Sequence, residues 1–148
     1  MICVHGTAIA LGNDGILLRG PSGSGKSDLA LRIIDAGARL VADDQTELNL
    51  RGSALRMRAP ATLAGLIEVR GLGIVRLPFV QDVALRLVVD LVPHAAVERL
   101  PEPRFVELLG VSVPLLEMAP FAASAVAKLR LAVKTLASPL PLEARVAS

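Results

Sequence analysis

The sequence has no tryptophan and no tyrosine, and three phenylalanines supply all of its aromatic content. Single-stranded nucleic acid is bound on such rings, and the net charge is only +2, so a nucleic-acid partner is not expected. A single cysteine, Cys3, excludes an internal disulfide and suits a reducing, cytoplasmic setting. It reads as a small buried hydrophobe on a strand. Hydrophobic residues reach 53%, yet no unbroken apolar run approaches the ~18 residues of a membrane span. The start, Met1-Ile2-Cys3-Val4-His5, lacks the basic and apolar regions of an export signal. So much apolar content without a membrane segment points to buried subunit contacts, hence a homo-oligomer. At 148 residues the expectation is one domain over residues 1–137 and a disordered tail over 138–148, which carries Pro139 and Pro141.

Against these absences stands one strong motif. Gly20-Pro21-Ser22-Gly23-Ser24-Gly25-Lys26-Ser27 satisfies G-x-x-x-x-G-K-S in full. Its flanks agree with it. Gly15 to Arg19 reads as a buried strand, and Asp28 to Ala36 as a helix with Leu29, Ala30, Ile33 and Ile34 on one face, stopping at Gly37. In such a phosphate-binding loop, glycines let backbone N–H groups curl around a polyphosphate at a helix N-terminus. Lys26 is placed to reach the β/γ-phosphates of ATP, and the Ser27 hydroxyl to sit on Mg²⁺.

Around the loop the pattern is that of an α/β domain. Ile2 to Leu11 reads as one strand, turned by Gly12-Asn13-Asp14-Gly15 into the strand that feeds the loop. This hairpin leading into the phosphate loop differs from the parallel start of an ordinary nucleotide kinase and predicts a mixed sheet. Arg39 to Ala42 is a short strand running into Asp43-Asp44, and Glu47 to Met57 a second hairpin around Arg51-Gly52-Ser53. Pro60 opens a helical turn through Leu63. Val83 to Val92 is a β-rich run closed by Pro93, and 104–114 suit a short strand pair. Pro120 is placed to start a last helix, from about Phe121 to Leu136.

Three further places carry chemistry. Asp43-Asp44 follow the carboxyl end of the strand after the loop, where open α/β sheets bind ligands. One carboxylate there can orient Mg²⁺ and the other accept a proton; a solvated turn is the plainer alternative. Neighbouring side chains on an extended chain point opposite ways, so the two need not share a task. In Glu68-Val69-Arg70-Gly71-Leu72-Gly73-Ile74 the paired glycines suit a loop passing close to a ligand, and equally a tight turn with an exposed ion pair. His5-Gly6 lies within the first strand, where a lone histidine is more often a satisfied core residue.

Taken together, His5-Gly6, the loop Gly20 to Ser27, Leu40-Val41-Ala42-Asp43-Asp44 and Glu68 to Ile74 resemble the HPr kinase/phosphorylase family in order and approximate spacing. The likeness covers about residues 2–115 well and the last helix loosely. It implies a P-loop domain of the phosphoenolpyruvate-carboxykinase-like type. It also implies an ATP- and Mg²⁺-dependent serine kinase that regulates carbohydrate metabolism. The implied partner is HPr, the phosphocarrier of the sugar phosphotransferase system, with reversal by inorganic phosphate. Full-length members form hexamers and carry an N-terminal domain for which a chain of this size has no room, so the short form is expected. By resemblance Asp44 is the proton-transfer aspartate, base in one direction and acid in the other. Ser27, Asp43 and Glu68 are the metal-side oxygens, His5 is the active-site histidine, and Arg70, Gly71, Leu72 and Gly73 form the signature loop. The family's Gly-Arg-Asn stretch before the last helix is replaced here by Phe121-Ala122-Ala123-Ser124-Ala125-Val126, which has no arginine. That departure keeps two other readings in view, an ATP-binding sensor with weak transfer and a small-molecule kinase. Lys128, Arg130 and Lys134 on the last helix read either as solvated surface or as a basic rim that steers a phosphocarrier.

Overall fold

The computed structural model describes residues 1–136, and the tail expected over 138–148 lies outside them. Eleven strands and two α-helices run along these residues, with two short 3-10 turns at Ala61–Leu63 and His94–Ala96. They are β1 (Ile2–His5), β2 (Thr7–Leu11), β3 (Asp14–Arg19), α1 (Lys26–Asp35), β4 (Arg39–Ala42), β5 (Gln45–Arg51) and β6 (Ala54–Arg58). After these come β7 (Leu66–Val69), β8 (Gly73–Arg76), β9 (Val83–Leu91), β10 (Arg104–Leu108), β11 (Val111–Met118) and α2 (Ala125–Leu136).

Nine strands form one mixed sheet in the order β1-β5-β6-β9-β3-β2-β4, with β11 also on β9 and β10 on β11. The long apolar run β9 is its centre. Its first residues pair antiparallel with β6, and its later ones pair parallel with β3 and β11. Beside Gly15 and Ile16 the register of β9 jumps from Leu85 to Leu87, which makes Arg86 the extra residue of a bulge. The bulge reverses the alternation of faces. Leu85 lies in one core, whereas Leu87, Val89 and Leu91 lie in the other.

One core joins Ile16 and Leu18 of β3 to Leu29, Ala30 and Ile33 of α1 and to Leu129 and Val133 of α2. The opposite face packs Ala8, Ala10, Leu17, Val41, Leu48 and Met57. Each fully buried leucine or isoleucine here contributes about 1.5–3 kcal/mol relative to an exposed one. These two cores hold rigid the sheet end that carries the site.

The expected hairpin β2–β3 is present, with Gly12-Asn13 as its turn, and so are the hairpin β5–β6 and the strand β4. Three expectations need correction. Ile2 to Leu11 is two strands, because the chain changes partner at Gly6: β1 pairs with β5, and β2 with β3 and β4. A Cβ on Gly6 would lie 2.8 Å from Leu17 Cδ1 and 2.9 Å from the Leu18 carbonyl, so only glycine passes there. Cys3 is exposed rather than buried, since β1 is an edge strand, and its thiol donates to Gln45 Oε1 at 3.3 Å.

The last helix begins at Ala125 and not near Phe121. Lys128 N–H donates to the Ser124 carbonyl at 2.8 Å, so Ser124, a residue type favoured at N-caps, opens the helix. Residues 120–124 form turns instead, and the Pro120 carbonyl accepts a hydrogen bond from Arg32 of α1. A proline signal for a helix start was outweighed by a cap four residues on.

Candidate active site

Sheet register explains why the chemistry meets at one place. Thr7 lies opposite Leu18, so the start of β2 adjoins the end of β3, from which Gly20 leaves. Ala8 lies opposite Ala42, so the end of β4 adjoins the same point. The loop, Thr7 and Asp43-Asp44 therefore share one end of the sheet, and β1 brings His5 there through its pairing with Gln45.

The loop Gly20 to Ser27 delivers α1 with Gly25 as its N-cap in the left-handed conformation (φ 100°), as glycine permits. Lys26 is buried, and its ammonium donates to the Gly20 carbonyl at 2.7 Å and the Pro21 carbonyl at 3.1 Å. Its charge thus sits at the mouth of the loop beside the helix N-terminus, a combination that attracts anions. Ser24 Oγ is buried without a hydrogen-bond partner among the described residues, an orphan of the kind a bound group would satisfy.

Asp43 is the hub. Its Oδ1 accepts from Ser27 Oγ at 2.7 Å and from Thr7 Oγ1 at 3.0 Å, and its Oδ2 accepts from the Glu68 N–H at 2.9 Å. Asp44 turns away. It takes φ 66°, and its N–H donates to Thr7 Oγ1 at 3.1 Å while its carbonyl accepts from Gly6 N–H at 2.8 Å. Backbone held in this region by surrounding bonds is concentrated at functional sites. The two carboxylates diverge as expected, through this left-handed residue rather than an extended strand. Asp44 Oδ1 meets His5 Nε2 at 2.7 Å, with both side chains about half exposed. His5 is therefore no core residue.

Asp43 with Ser27 offers hard oxygen donors of the type Mg²⁺ takes, with substrate phosphates completing its shell. Among the described residues no group of three or more His, Cys, Asp or Glu could hold a metal by itself. Glu68 reaches Asp43 through its backbone; its side chain is exposed. The segment Glu68 to Ile74 is a hairpin, β7–β8, with Val69 lying opposite Gly73. Gly71 (φ 93°) and Gly73 (φ 106°) make its turn, and Ile67 anchors it in the core. Leu72 and Ile74 project into solvent at 78% and 73% exposure. No ion pair joins Glu68 to Arg70 among the described residues, so the tight turn is found without the ion pair offered beside it. Lys128, Arg130 and Lys134 lie on the exposed side of α2, opposite Leu129 and Val133.

Thr7 escaped the sequence reading. It is fully buried, and its one hydroxyl serves both aspartates. A threonine directly after His-Gly, in a strand otherwise apolar, was the available signal. Thr46, also buried, donates to the Gly6 carbonyl at 2.9 Å and fixes the crossover from β1 to β2. Arg19 grips Asp90 in bidentate fashion (2.7 and 3.0 Å), tying the strand that carries the loop to β9.

Residues 1–133 match the family described as HPr Serine kinase C-terminal domain. An HPr kinase/phosphorylase of Leptothrix cholodnii is 38% identical over 122 residues, which span 74% of this chain and 38% of that protein. The HPr kinase/phosphorylase of Clostridium acetobutylicum is 43% identical over 75 residues, 51% of this chain and 25% of that one. The chain thus spans well under half the length of these relatives. The structure of the Hpr(Ser) kinase/phosphatase from Coxiella burnetii superposes with a TM-score of 0.78 at 25% identity, covering 87% of this chain and 91% of that one.

Proposed function

The chain belongs to the HPr serine kinase C-terminal domain family, and from that premise we propose that it is an ATP-dependent protein serine kinase. Its substrate is an HPr-type phosphocarrier of the phosphotransferase system, and inorganic phosphate drives the reverse reaction. The fold is read more finely as the phosphoenolpyruvate-carboxykinase-like P-loop type, supported by the hairpin β2–β3 that leads into the loop. One observation carries the reading. The strand register gathers a Lys-Ser pair on a glycine loop, a hydrogen-bonded Asp43 and a His5–Asp44 pair at one end of the sheet.

In this reading Lys26 exchanges its two carbonyl partners for β/γ-phosphate oxygens, and the backbone from Gly20 to Gly25 wraps the same phosphates. Ser27 and Asp43, with Glu68 beside them, would hold Mg²⁺, which when bound neutralises charge on the phosphoryl group being transferred. Asp44 takes the proton of the attacking serine as the new O–P bond forms. The bond from the γ-phosphorus to ADP breaks, and its electron pair leaves with ADP. His5 engages Asp44 Oδ1 and so directs the other oxygen to the serine. In reverse, the same carboxyl returns the proton. Arg70 to Gly73, an exposed turn on an anchored hairpin, is read as the face that meets the partner. The proposed setting is the cytoplasm and the proposed assembly a homo-hexamer, with exposed Leu100 and Phe105 as candidate contacts.

Incubation with γ-labelled ATP, Mg²⁺ and candidate phosphocarriers tests the reading. Label on a carrier serine supports it. ATP binding without transfer gives the sensor module suggested by the missing arginine in 121–126, and label in a metabolite gives a small-molecule kinase.

A further inference from the structure

Across β3 from β4 and Asp43, beside the ends of β9 and β11, lies a cavity of about 560 Å³ that shares only loop residues with the chemistry above. Pro21, Gly23 and Ser24 of the loop form one wall, and Pro93, His94 and Phe121 form much of the rest. No carboxylate, ammonium or guanidinium lines it, so it suits a neutral, flat, apolar group. Phe121 is one of only three aromatic residues in the chain and is 69% exposed at this site. Its ring is not loose. A Cβ built on Gly25 would come within 2.8 Å of Phe121 Cζ, so ring and loop touch. The walls are tied as well. Val92 N–H donates to the Met118 carbonyl at 3.0 Å, and the Pro120 carbonyl accepts from Arg32.

We propose that this cavity is the seat of the nucleoside base, with the base stacked on Phe121 and its phosphates running over the loop towards Asp43 and Asp44. The inference rests on the phosphate-loop reading and adds a direction to it. The cavity shares loop residues 21, 23 and 24 but none of Ser27, Asp43, Asp44 or His5. A nucleotide spanning the loop therefore has its base on one flank and its γ-phosphate on the other. A neutral purine fits the uncharged lining, an exposed ring offers it a stacking face, and His94 offers an imidazole to its edge.

The test titrates the full chain, with Mg²⁺ present, with ATP and with tripolyphosphate by calorimetry. Phe121→Ala should weaken ATP at least about tenfold, the usual scale of one base stack, and leave tripolyphosphate affinity unchanged. Unchanged ATP affinity, with tripolyphosphate bound as before, overturns the base seat and leaves the phosphate loop standing. Equal weakening of both ligands also overturns it, because the ring then acts only through Gly25. Wild-type protein that binds neither ligand overturns the phosphate reading beneath it. Phe121→Trp gives a second measurement, since the chain has no other tryptophan. Its emission should change with ATP and not with tripolyphosphate, and an indole unmoved by bound ATP counts against the proposal.

Discussion

Thr7→Val removes one oxygen and keeps nearly the same shape, which isolates the hydroxyl that joins the two aspartates. Thr7 is fully buried, so no water replaces what is lost. Asp43 Oδ1 loses a donor at 3.0 Å but keeps Ser27 and the Glu68 N–H, while the Asp44 N–H loses its acceptor at 3.1 Å. A hydrogen bond to a charged group contributes about 1.5–3 kcal/mol, and an orphaned buried donor costs about 1–3 kcal/mol. The remaining bonds to Asp43 absorb part of this, so a net loss of about 2–4 kcal/mol is expected. For a domain of this size that lowers Tm by roughly 5–15 °C. The Asp44 backbone, held at φ 66° partly by this bond, should also loosen, and kcat should fall about tenfold or more while KM for ATP changes little. Thr7→Ser keeps the hydroxyl and loses a methyl, so it should restore most of kcat at a stability cost near 1 kcal/mol. Thermal unfolding and steady-state transfer on the three proteins check the argument. If Val and Ser variants lose the same activity, the hydroxyl is not what positions Asp44.

Further predictions concern the loop, the carboxylates and the helix surface. Lys26→Ala should abolish transfer and sharply weaken ATP by calorimetry while the fold persists in circular dichroism, because neither core includes Lys26 or its carbonyl partners Gly20 and Pro21. Asp44→Asn should lower turnover by ~10²-fold or more with Mg²⁺-ATP binding nearly intact, whereas Asp43→Asn should disturb Mg²⁺-dependent binding first; titration and turnover on both variants check the division. Arg130→Glu/Lys134→Glu should slow association with the phosphocarrier in stopped flow at low salt and leave ATP affinity unchanged, the behaviour of a steering surface.

The sheet end could be read from the sequence because its parts are local. A glycine loop between a strand and a helix, a hairpin turn and an Asp-Asp pair at a strand end each declare themselves within a few residues. What stayed hidden depends on partners distant in the chain. That Gly6 is a crossover is decided by Leu17 and Leu18, which leave no room for a side chain. That Cys3 is exposed follows from β1 being an edge strand, which local pattern does not reveal. The helix start was misplaced because a proline and a serine both mark N-termini, and contacts of residues 120–121 with Arg32 and Gly25 decided between them. Thr7 was passed over because a threonine in a strand is ordinary until its hydroxyl is found between the Asp43 carboxylate and the Asp44 N–H, just past the end of another strand.

The central claim is that this constellation moves phosphate from ATP to a protein serine, with Asp44 as the proton acceptor. Single-turnover transfer from γ-labelled ATP to an HPr-type phosphocarrier, followed by mass spectrometry of the carrier, tests it most directly. Phosphoserine should form with wild-type protein and form ~10²-fold more slowly with Asp44→Asn at saturating Mg²⁺-ATP. A carrier that stays unmodified while ATP binds, or an Asp44→Asn variant that transfers at the wild-type rate, would contradict the account.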